Sequence, residues 1–413
     1  LKELKNAKQY LLKHIKIFPK DLEAILYLAN LQLKTQDIVK AEKNYRKILS
    51  INKNYLPAIV NLAMFYEGTG NIEDAKKYYK IANKIEPYNI KFIFSLIRLS
   101  LEFLNDKQVN LIESAYKENK ISKKDEFLVN FIFSQNSLKK NDYVNEMKYL
   151  DLSHQDFSSN KINKKSKKFW LDIIPYYYDK FLFKKSKKNL KNLRPIFIVG
   201  LPRSGSTITE LILSTSKTIK HNLGESNLIN YSLINNYSNE LFNETKKEKL
   251  IIDLNLIERQ LLKSLNDYKI LPQDNTIVID KSLENFYYLD LIIQIFPKAK
   301  FIFTDRNIKE NIIGIYKKIL LDISWSHSLS DIVNYVDNYI KITNFFKKKY
   351  KKKIFQIDLK DLQNLDNQKI KKLFEFCKLK FNPKFHEFYK KYQFVNNASN
   401  IQIRKNLQKN DNE

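Results

Sequence analysis

Several residue types that decide a protein's chemistry are scarce in this sequence. Only one of the 413 residues is cysteine, Cys377, which excludes an internal disulfide framework and a multi-cysteine metal site. The five histidines are scattered without ligand spacing, so we expect no protein-bound metal. No run of about 18 apolar residues and no secretory signal are present, which predicts no membrane span and a cytoplasmic location.

Acidic residues are outnumbered as well. The chain has 73 Lys and Arg against 45 Asp and Glu, a formal net charge of +28. Such an excess indicates an anionic partner, for example a nucleotide, a nucleic acid or a lipid surface. However, heavy use of Lys, Asn and Ile with only six glycines is also what an AT-rich coding bias produces. Because no basic stretch interleaved with aromatics stands out, we expect solvated lysines and no nucleic-acid partner.

The first part of the chain repeats with a period of 34 residues. Ala24, Ala29, Ala41 and Tyr45 recur as Ala58, Ala63, Ala75 and Tyr79. This period, with small residues where helices cross, is typical of tetratricopeptide repeats. Two repeats are predicted at 20–53 and 54–87, a third begins at Pro87, and 125–157 has the pattern of a further helical pair. Residues 1–157 are therefore predicted to be all-α helical repeats.

The character of the chain changes after this region. Residues 158–193 are rich in Lys, Ser and Asn and predict an exposed connection that contains an aromatic helix at 169–183. Beyond it, four short apolar runs have the pattern of buried strands: 196–200, 276–280, 299–305 and 352–358. Helical patterns separate them, at about 207–214, 284–295, 308–321, 330–347 and 367–377. Residues 194–413 are thus predicted to form an α/β domain around a mainly parallel sheet, with ligands at the carboxyl ends of its strands.

The segment GLPRSGST, residues 200–207, directly follows the first of these runs. A strand, a glycine-containing loop and a helix together aim backbone N–H groups at an anion. The loop fits the spacing of a phosphate loop, but Ser206 stands where a nucleoside triphosphatase carries the lysine that contacts the outer phosphates. Arg203 offers a cation from within the loop instead. The loop is predicted to bind a phosphate end, though not that of a triphosphate.

The stretch PIFIVGLPRSGST resembles the 5′-phosphosulfate loop of sulfotransferases that use 3′-phosphoadenosine 5′-phosphosulfate (PAPS). The order of repeats, loop and downstream segments is similar to the branch that carries tetratricopeptide repeats ahead of the enzyme domain and is related to protein-tyrosine sulfotransferases. The resemblance implies a P-loop-like domain that transfers a sulfuryl group to an acceptor hydroxyl and leaves adenosine 3′,5′-bisphosphate, with no metal required. It assigns the 5′-phosphate and the sulfonate to Arg203, Ser204, Gly205, Ser206 and Thr207.

The resemblance also implies two catalytic residues. Glu225, in HNLGES, matches the general base of the related tyrosine sulfotransferases, and a carboxylate is suited to remove the proton of an acceptor hydroxyl. Lys281, which follows the run TIVID, matches the catalytic lysine, and a preplaced cation stabilises charge on the bridging and sulfonate oxygens. Asn285 is a candidate for supporting this site. Without the resemblance, a single glutamate or lysine in a loop is usually only a surface charge.

Further residues are assigned to the rest of the nucleotide. Arg306 ends the run AKFIFTD and corresponds to the arginine for the 3′-phosphate, which a guanidinium binds in a two-pronged fashion. Lys318 falls where relatives place a second basic group. The stretch NNASNIQIR is similar to the closing segment of the family and implies that Ser399 and Arg404 lie near the nucleotide.

The sequence departs from the family's pattern in three places. Gly314 replaces a serine, Leu359 stands where relatives have an adenine-contacting tyrosine, and the usual final helix is not recognised. These departures leave open a scaffold of repeats with an inactive nucleotide-binding domain. A degenerate P-loop kinase, with Asp280 and Asp305 as metal ligands, is a further alternative that Ser206 opposes.

The partners follow from the same patterns. We expect a nucleotide sulfate donor and an acceptor that is a peptide tyrosine, a sugar or a small molecule, with segment 227–270 lining the acceptor pocket. The repeats are expected to bind a peptide or protein partner, to pack against the second domain, or to mediate self-association into a homo-oligomer.

Overall fold

A computed structural model describes most of the chain. The described residues are 2–35, 37–161, 164–184, 190–219, 221–243, 245, 247–270 and 276–390. They divide into two compact units, one that ends at Ile162 and one that begins at Asn163. Ser399 and Arg404 lie outside the described residues. Within the described part, no helix combines the length and the apolar character that crossing a bilayer requires.

All regular secondary structure in the described residues of the first unit is helical. Its α-helices are α1 (Lys2–Ile17), α2 (Leu22–Lys34), α3 (Ile38–Ile51), α4 (Leu56–Thr69), α5 (Ile72–Ile85), α6 (Ile90–Leu99), α7 (Asp106–Lys117), α8 (Glu126–Lys139) and α9 (Tyr143–Lys161). The pairs α2–α3 and α4–α5 form the two predicted repeats, and α8–α9 form the further pair. Where a third repeat was expected to begin, α6 packs on α5 and α8, and α7 packs on α8 rather than pairing with α6. The prediction of helical repeats is confirmed.

Small residues set how closely the repeat helices approach one another. Ala29, Ala41, Ala63 and Ala75 are fully buried within one apolar core. A larger side chain at any of these positions would push neighbouring helices apart, because protein cores are packed to near crystal density. Alanine therefore recurs every 34 residues because the same close helix crossing is repeated in each unit.

A five-stranded parallel sheet forms the centre of the second unit. The strands of this unit are β1 (Phe181–Lys184), β2 (Leu193–Gly200), β3 (His221–Asn222), β4 (Leu250–Asp253), β5 (Thr276–Asp280), β6 (Lys300–Asp305) and β7 (Ile354–Asp358). The central sheet has the order β3-β5-β2-β6-β7, and each neighbouring pair is parallel. Near-continuous apolar runs in β2, β5 and β6 suit strands that are buried on both faces. The predicted parallel sheet is confirmed.

Each long strand of this sheet leads into a helical segment at its carboxyl end. The α-helices of the unit are α10 (Lys164–Lys168), α11 (Ile174–Tyr177), α12 (Ser206–Leu213), α13 (Leu228–Leu241), α14 (Leu254–Asp267), α15 (Leu289–Ile295), α16 (Ile308–Tyr316), α17 (Leu329–Lys349), α18 (Leu359–Gln363) and α19 (Asn367–Cys377). A 3₁₀ helix, Leu283–Tyr288, follows β5 and precedes α15. Because all strands run the same way, the loops after β2, β5 and β6 meet at one edge of the sheet.

The structure corrects three local expectations. The aromatic segment 169–183 is helical only to Tyr177 and then forms β1, which pairs with β4 in a separate two-stranded parallel sheet. A four-residue apolar run is too short for its period to distinguish strand from helix. The helix expected at 308–321 ends at Tyr316, and Ile319 beyond it adopts a left-handed φ of 43°. Part of the expected connection is helical, because α10 lies within it.

Gly200 provides a test of how tightly β2 packs at its carboxyl end. A Cβ on this residue would lie 2.4 Å from Thr304 Oγ1 and 2.8 Å from the Thr304 carbonyl oxygen. Since a backbone atom cannot swing away, Gly200→Ala should lower the free energy of unfolding by about 2 kcal/mol, as overpacking does. Urea denaturation followed by circular dichroism measures the change.

The matched control is Gly314→Ala in α16. There a Cβ would meet Arg306 Nη1 at 3.5 Å, an ordinary contact, so alanine should stabilise the helix by about 0.5–1 kcal/mol. Equal effects of the two substitutions would contradict the close approach at Gly200.

Candidate active site

The loop between β2 and α12 has a backbone that few residues can adopt. Arg203 and Gly205 have left-handed φ angles of 72° and 96°. Ser204 Oγ donates to the Leu201 carbonyl at 2.7 Å and shares a 2.7 Å hydrogen bond with Thr304 Oγ1, which fixes the loop against β6. Gly205 is the N-cap of α12 and has no side chain with which to cap it. The first N–H groups of α12, at Ser206 and Thr207, are of the kind that binds an anion at a helix start, and residues 201–205 are called the anion loop below.

Two arginines lie side by side at this loop. Arg306 follows β6, and its Nη1 is 3.5 Å from the Arg203 carbonyl oxygen. Burial, together with the charge of Arg306, lowers the pKa of Arg203 to about 10. Glu310, whose Oε2 lies 3.3 Å from Arg306 Nη2, offsets part of the repulsion between these like charges, and an anion bound to both arginines would offset more of it. The pair is therefore suited to bind a multiply charged anion.

Lys281 and Glu225 form an ion pair at the end of β5. Lys281 Nζ donates to Glu225 Oε1 at 2.5 Å, and only 3% of the lysine side chain is exposed against 49% of the glutamate. The loop after β3 is joined to β5 by two backbone hydrogen bonds of 2.8 Å, from Leu223 N to Ile279 O and from Lys281 N to Gly224 O. This joining brings together two candidate residues that are 56 positions apart.

A second carboxylate, which the sequence analysis missed, also faces Lys281. Glu210 lies on α12, is 5% exposed, and places Oε2 3.7 Å from Lys281 Nζ. Burial lowers the pKa of Lys281, but Glu210 and Glu225 outweigh burial and raise the pKa above its usual value, so the amine is charged. The sequence offers one indication of this contact: Glu210 is the single charged residue in the apolar helix STITELIL, which follows the anion loop.

Asp280 holds the backbone around the catalytic candidates. Its Oδ1 accepts hydrogen bonds from Ser282 N at 2.8 Å and Asn285 Nδ2 at 3.0 Å, and Ser226 Oγ donates to Oδ2. Ser226 is the residue after Glu225, so Asp280 ties the glutamate's loop to the lysine's strand. Asn285 thus contacts the site indirectly, through its hydrogen bond to Asp280. This contact is consistent with the supporting role expected for Asn285.

Comparisons with known proteins agree with this arrangement. Residues 195–383 match the model of the sulfotransferase family, and residues 56–89 match the model of the tetratricopeptide repeat. The chain thus has the architecture of tetratricopeptide repeats followed by a domain that matches the sulfotransferase family. The matched segment includes β2 from residue 195 onward, the anion loop, both catalytic candidates and Arg306.

Two individual proteins show similarity over long stretches. An uncharacterized protein from Aquifex aeolicus (strain VF5) is 24% identical over 373 residues, which cover 86% of this chain and 47% of that protein. The chain therefore spans about half the length of the curated relative it matches. A crystal structure of a sulfotransferase from Mycobacterium tuberculosis H37Rv is matched over 73% of this chain and 98% of that one, at 11% identity and a TM-score of 0.32. A TM-score this low adds nothing to the assignment.

Two residues that depart from the family's pattern, Leu359 and Gly314, lie beside the candidate site. Leu359 packs against the anion loop, with its Cδ1 3.0 Å from where a Gly205 Cβ would be. Gly314 faces the Arg306 guanidinium across 3.5 Å of ordinary contact distance, so a side chain would fit there. Lys318 is exposed in the turn after α16. No group of three or more His, Cys, Asp or Glu residues suited to a metal ion is found among the residues that the structure describes.

Glu284 is a further acidic group beside the ion pair. It is partly buried in the 3₁₀ helix after β5, and burial, helped by the charge of Glu225 against that of Lys281, raises its pKa to about 7. Its folded pKa lies above the unfolded value near 4.5, so folding favours the protonated form. The stability that protonation provides is fully present below about pH 4.5 and is lost as the pH rises towards 7.

Glu284→Gln should therefore stabilise the protein more at pH 8 than at pH 5, by about 2 kcal/mol. Urea denaturation of both proteins at the two pH values gives this difference. The exposed Glu248→Gln is the control and should show no pH-dependent gain. If Glu284→Gln behaves like Glu248→Gln, the Glu284 carboxyl is solvated and its pKa is ordinary.

Proposed function

We propose that the chain is a sulfotransferase that moves a sulfuryl group from PAPS to an acceptor hydroxyl. The observation that carries this proposal is the meeting, at one edge of the parallel sheet, of an arginine pair for phosphate with a buried lysine paired to a glutamate. The family match over residues 195–383 supports the reaction class.

In the proposed complex the anion loop holds the 5′ end of the donor. The N–H groups of Ser206 and Thr207, with Arg203, contact the 5′-phosphate and the sulfonate, and Arg306 contacts the 3′-phosphate. The fit is favourable because Gly205 provides the left-handed backbone with which the loop enters α12, and because the arginine pair gains most from an anion with charge at both ends. The absence of a lysine at Ser206 suits a phosphosulfate, which carries less charge than a triphosphate.

Glu225 and Lys281 are proposed to perform the transfer. Glu225 takes the proton from the acceptor hydroxyl as its oxygen attacks sulfur. The bond from sulfur to the bridging oxygen breaks, and the electron pair remains on the 5′-phosphate of adenosine 3′,5′-bisphosphate, where Lys281 stabilises the new charge. Attack and departure are roughly in line, by analogy with phosphoryl transfer. The acceptor is a hydroxyl of a peptide, a sugar or a small molecule, and the repeats offer a surface for a protein partner.

The alternative functions have different support. A kinase would need Asp280 as a metal ligand, yet Ser226, Ser282 and Asn285 already occupy its oxygens. An inactive nucleotide-binding domain is favoured by Gly314 and by Leu359, which both weaken contacts to the nucleotide rather than the transfer step. The ion pair of Glu225 and Lys281 favours activity, because an inactive domain would not need a buried lysine.

Binding of adenosine 3′,5′-bisphosphate tests the nucleotide assignment. Titration calorimetry without magnesium should show binding, whereas ATP with magnesium should bind weakly. Arg306→Ala should weaken the bisphosphate about 10- to 100-fold, since a hydrogen bond to a charged group contributes about 1.5–3 kcal/mol. The control is Arg194→Ala, because Arg194 lies near the start of β2 and contacts the Cys377 carbonyl. No heat with the bisphosphate on folded protein would reject PAPS as the donor.

The same titration tests the missing serine. Gly314→Ser should strengthen bisphosphate binding severalfold by adding a hydroxyl beside Arg306, and Gly314→Ala controls for the change in helix stability. Equal affinities of the serine and alanine variants would place the 3′-phosphate elsewhere.

Loss of turnover tests the catalytic pair. Glu225→Gln and Lys281→Ala should each reduce sulfuryl transfer from labelled PAPS by about 100-fold or more, because a positioned base or cation contributes factors of this size. Host extract supplies the acceptors, and mass spectrometry detects the gain of one SO₃ group. Bisphosphate affinity should stay nearly unchanged in both variants. Undiminished transfer in both variants would contradict the assigned roles.

A further inference from the structure

Glu210 is a buried carboxylate to which the mechanism above gives no task. We propose that Glu210 is a positioning residue that holds the charged Lys281 ammonium at the end of β5 while Glu225 leaves that ammonium to take the acceptor proton. The catalytic consequence rests on the proposed function, but the interaction of Glu210 with Lys281 can be tested without it.

The position of Glu210 is fixed by the fold. It lies one turn into α12, the helix that starts at the anion loop, and its Oε2 is 3.7 Å from Lys281 Nζ. Burial raises the pKa of Glu210, and the charge of Lys281 opposes this rise, so the carboxylate and the ammonium each stabilise the charged form of the other. A Cβ on Gly224 would lie 4.0 Å from Glu210 Oε1, so the loop after β3 adjoins this carboxylate. Glu210 therefore stays in place, whereas the half-exposed Glu225 sits in a loop and is able to turn away.

The chemistry requires these two carboxylates to behave differently. Glu225 Oε1 already accepts a hydrogen bond from Lys281 Nζ, so this oxygen is not open to the proton of an acceptor hydroxyl. Glu225 must therefore leave Lys281 before it accepts a proton. A buried ammonium whose sole counter-charge departs is strongly destabilised and tends to lose its proton. A second carboxylate that stays behind prevents this loss and keeps the lysine charged for the leaving oxygen.

Four acidic residues surround Lys281. Glu210 faces it from α12, Glu225 from the loop after β3, and Glu284 from the 3₁₀ helix, while Asp280 precedes it in β5. Burial lowers the pKa of Lys281, whereas the charge of Glu210 and both the charge and the hydrogen bond of Glu225 raise it. During transfer the acceptor proton passes to Glu225, and Glu210 neither gains nor loses a proton.

Competitive labelling of lysines by trace acetic anhydride at pH 8.5 reads the charge of Lys281 directly, because only the neutral amine reacts. Peptide mass spectrometry compares Lys281 with the exposed Lys298 in the full chain. Glu210→Gln should raise the relative labelling of Lys281 about tenfold, which corresponds to a fall in pKa of about one unit. Glu210→Asp should recover most of the wild-type value. Glu258→Gln, a buried glutamate of α14, should change nothing.

Labelling would also change if a substitution altered access of the reagent to Lys281. A double-mutant cycle of stability tests the interaction of Glu210 with Lys281 independently of access. Lys281→Met should lower the urea midpoint, because Glu210 is left buried beside a neutral side chain, and Glu210→Gln added to Lys281→Met should restore most of that loss. A role in packing alone predicts additive losses. Unchanged labelling in Glu210→Gln, or additive losses in the cycle, would overturn the proposal.

Kinetics separate the catalytic consequence from the interaction. With labelled PAPS and host extract, Glu210→Gln should lower kcat, leave the KM for the donor unchanged, and move the alkaline limb of the pH profile down by the shift seen in labelling. If labelling shifts while kcat and its pH profile do not, the positioning role in catalysis is wrong. If the bisphosphate fails to bind at all, the labelling and stability results still decide whether Glu210 holds Lys281.

Discussion

The site depends on one electrostatic constraint, which is a lysine ammonium buried almost completely at the end of a parallel strand. A charge in such a place is stable only among fixed counter-charges, and here they come from a helix and a loop that are distant in the chain. The sheet order supplies them, because β5 lies between β3 and β2 and so receives the loop after β3 on one side and α12 on the other. The requirement to neutralise Lys281 thus links α12, which follows the anion loop, to the loop that carries Glu225.

The charged groups at this edge of the sheet form a cationic and an acidic set, although Glu310 is paired with Arg306 at 3.3 Å on the cationic side. Arg203 and Arg306 lie where β2 and β6 end, whereas Glu210, Glu225 and Glu284 surround the end of β5. The arginine pair gains from a dianion, and the acidic cluster repels one, so an anionic donor is directed to one side of Lys281. The lysine stands at the border between the two sides. That position suits a group that must neutralise charge on a leaving oxygen after the acceptor proton has gone the other way.

The sequence predicted those features that local pattern determines. The 34-residue period identified the repeats, because each helix crossing is formed by nearby residues, and β2, β5, β6 and β7 followed from short apolar runs. It did not predict β3, whose two residues have no period, nor β1 and β4. Glu210 was missed for a related reason. Its role depends on a contact with a residue 71 positions away, made only when α12 and β5 pack at the same edge of the sheet.

The departures from the family's pattern fall on one side of this arrangement. Gly314 and Leu359 adjoin Arg306 and Gly205, which belong to the phosphate side, while Lys281 pairs with Glu225 and Asp280 accepts a hydrogen bond from Asn285. A lost hydroxyl contact weakens binding of a nucleotide, but it leaves the barrier of the bound donor nearly unchanged, because binding energy that is equal in the ground state and the transition state does not alter kcat. A buried ammonium, by contrast, is costly to keep without a task. The combination therefore favours an enzyme that holds its donor less tightly over a domain that has lost its chemistry.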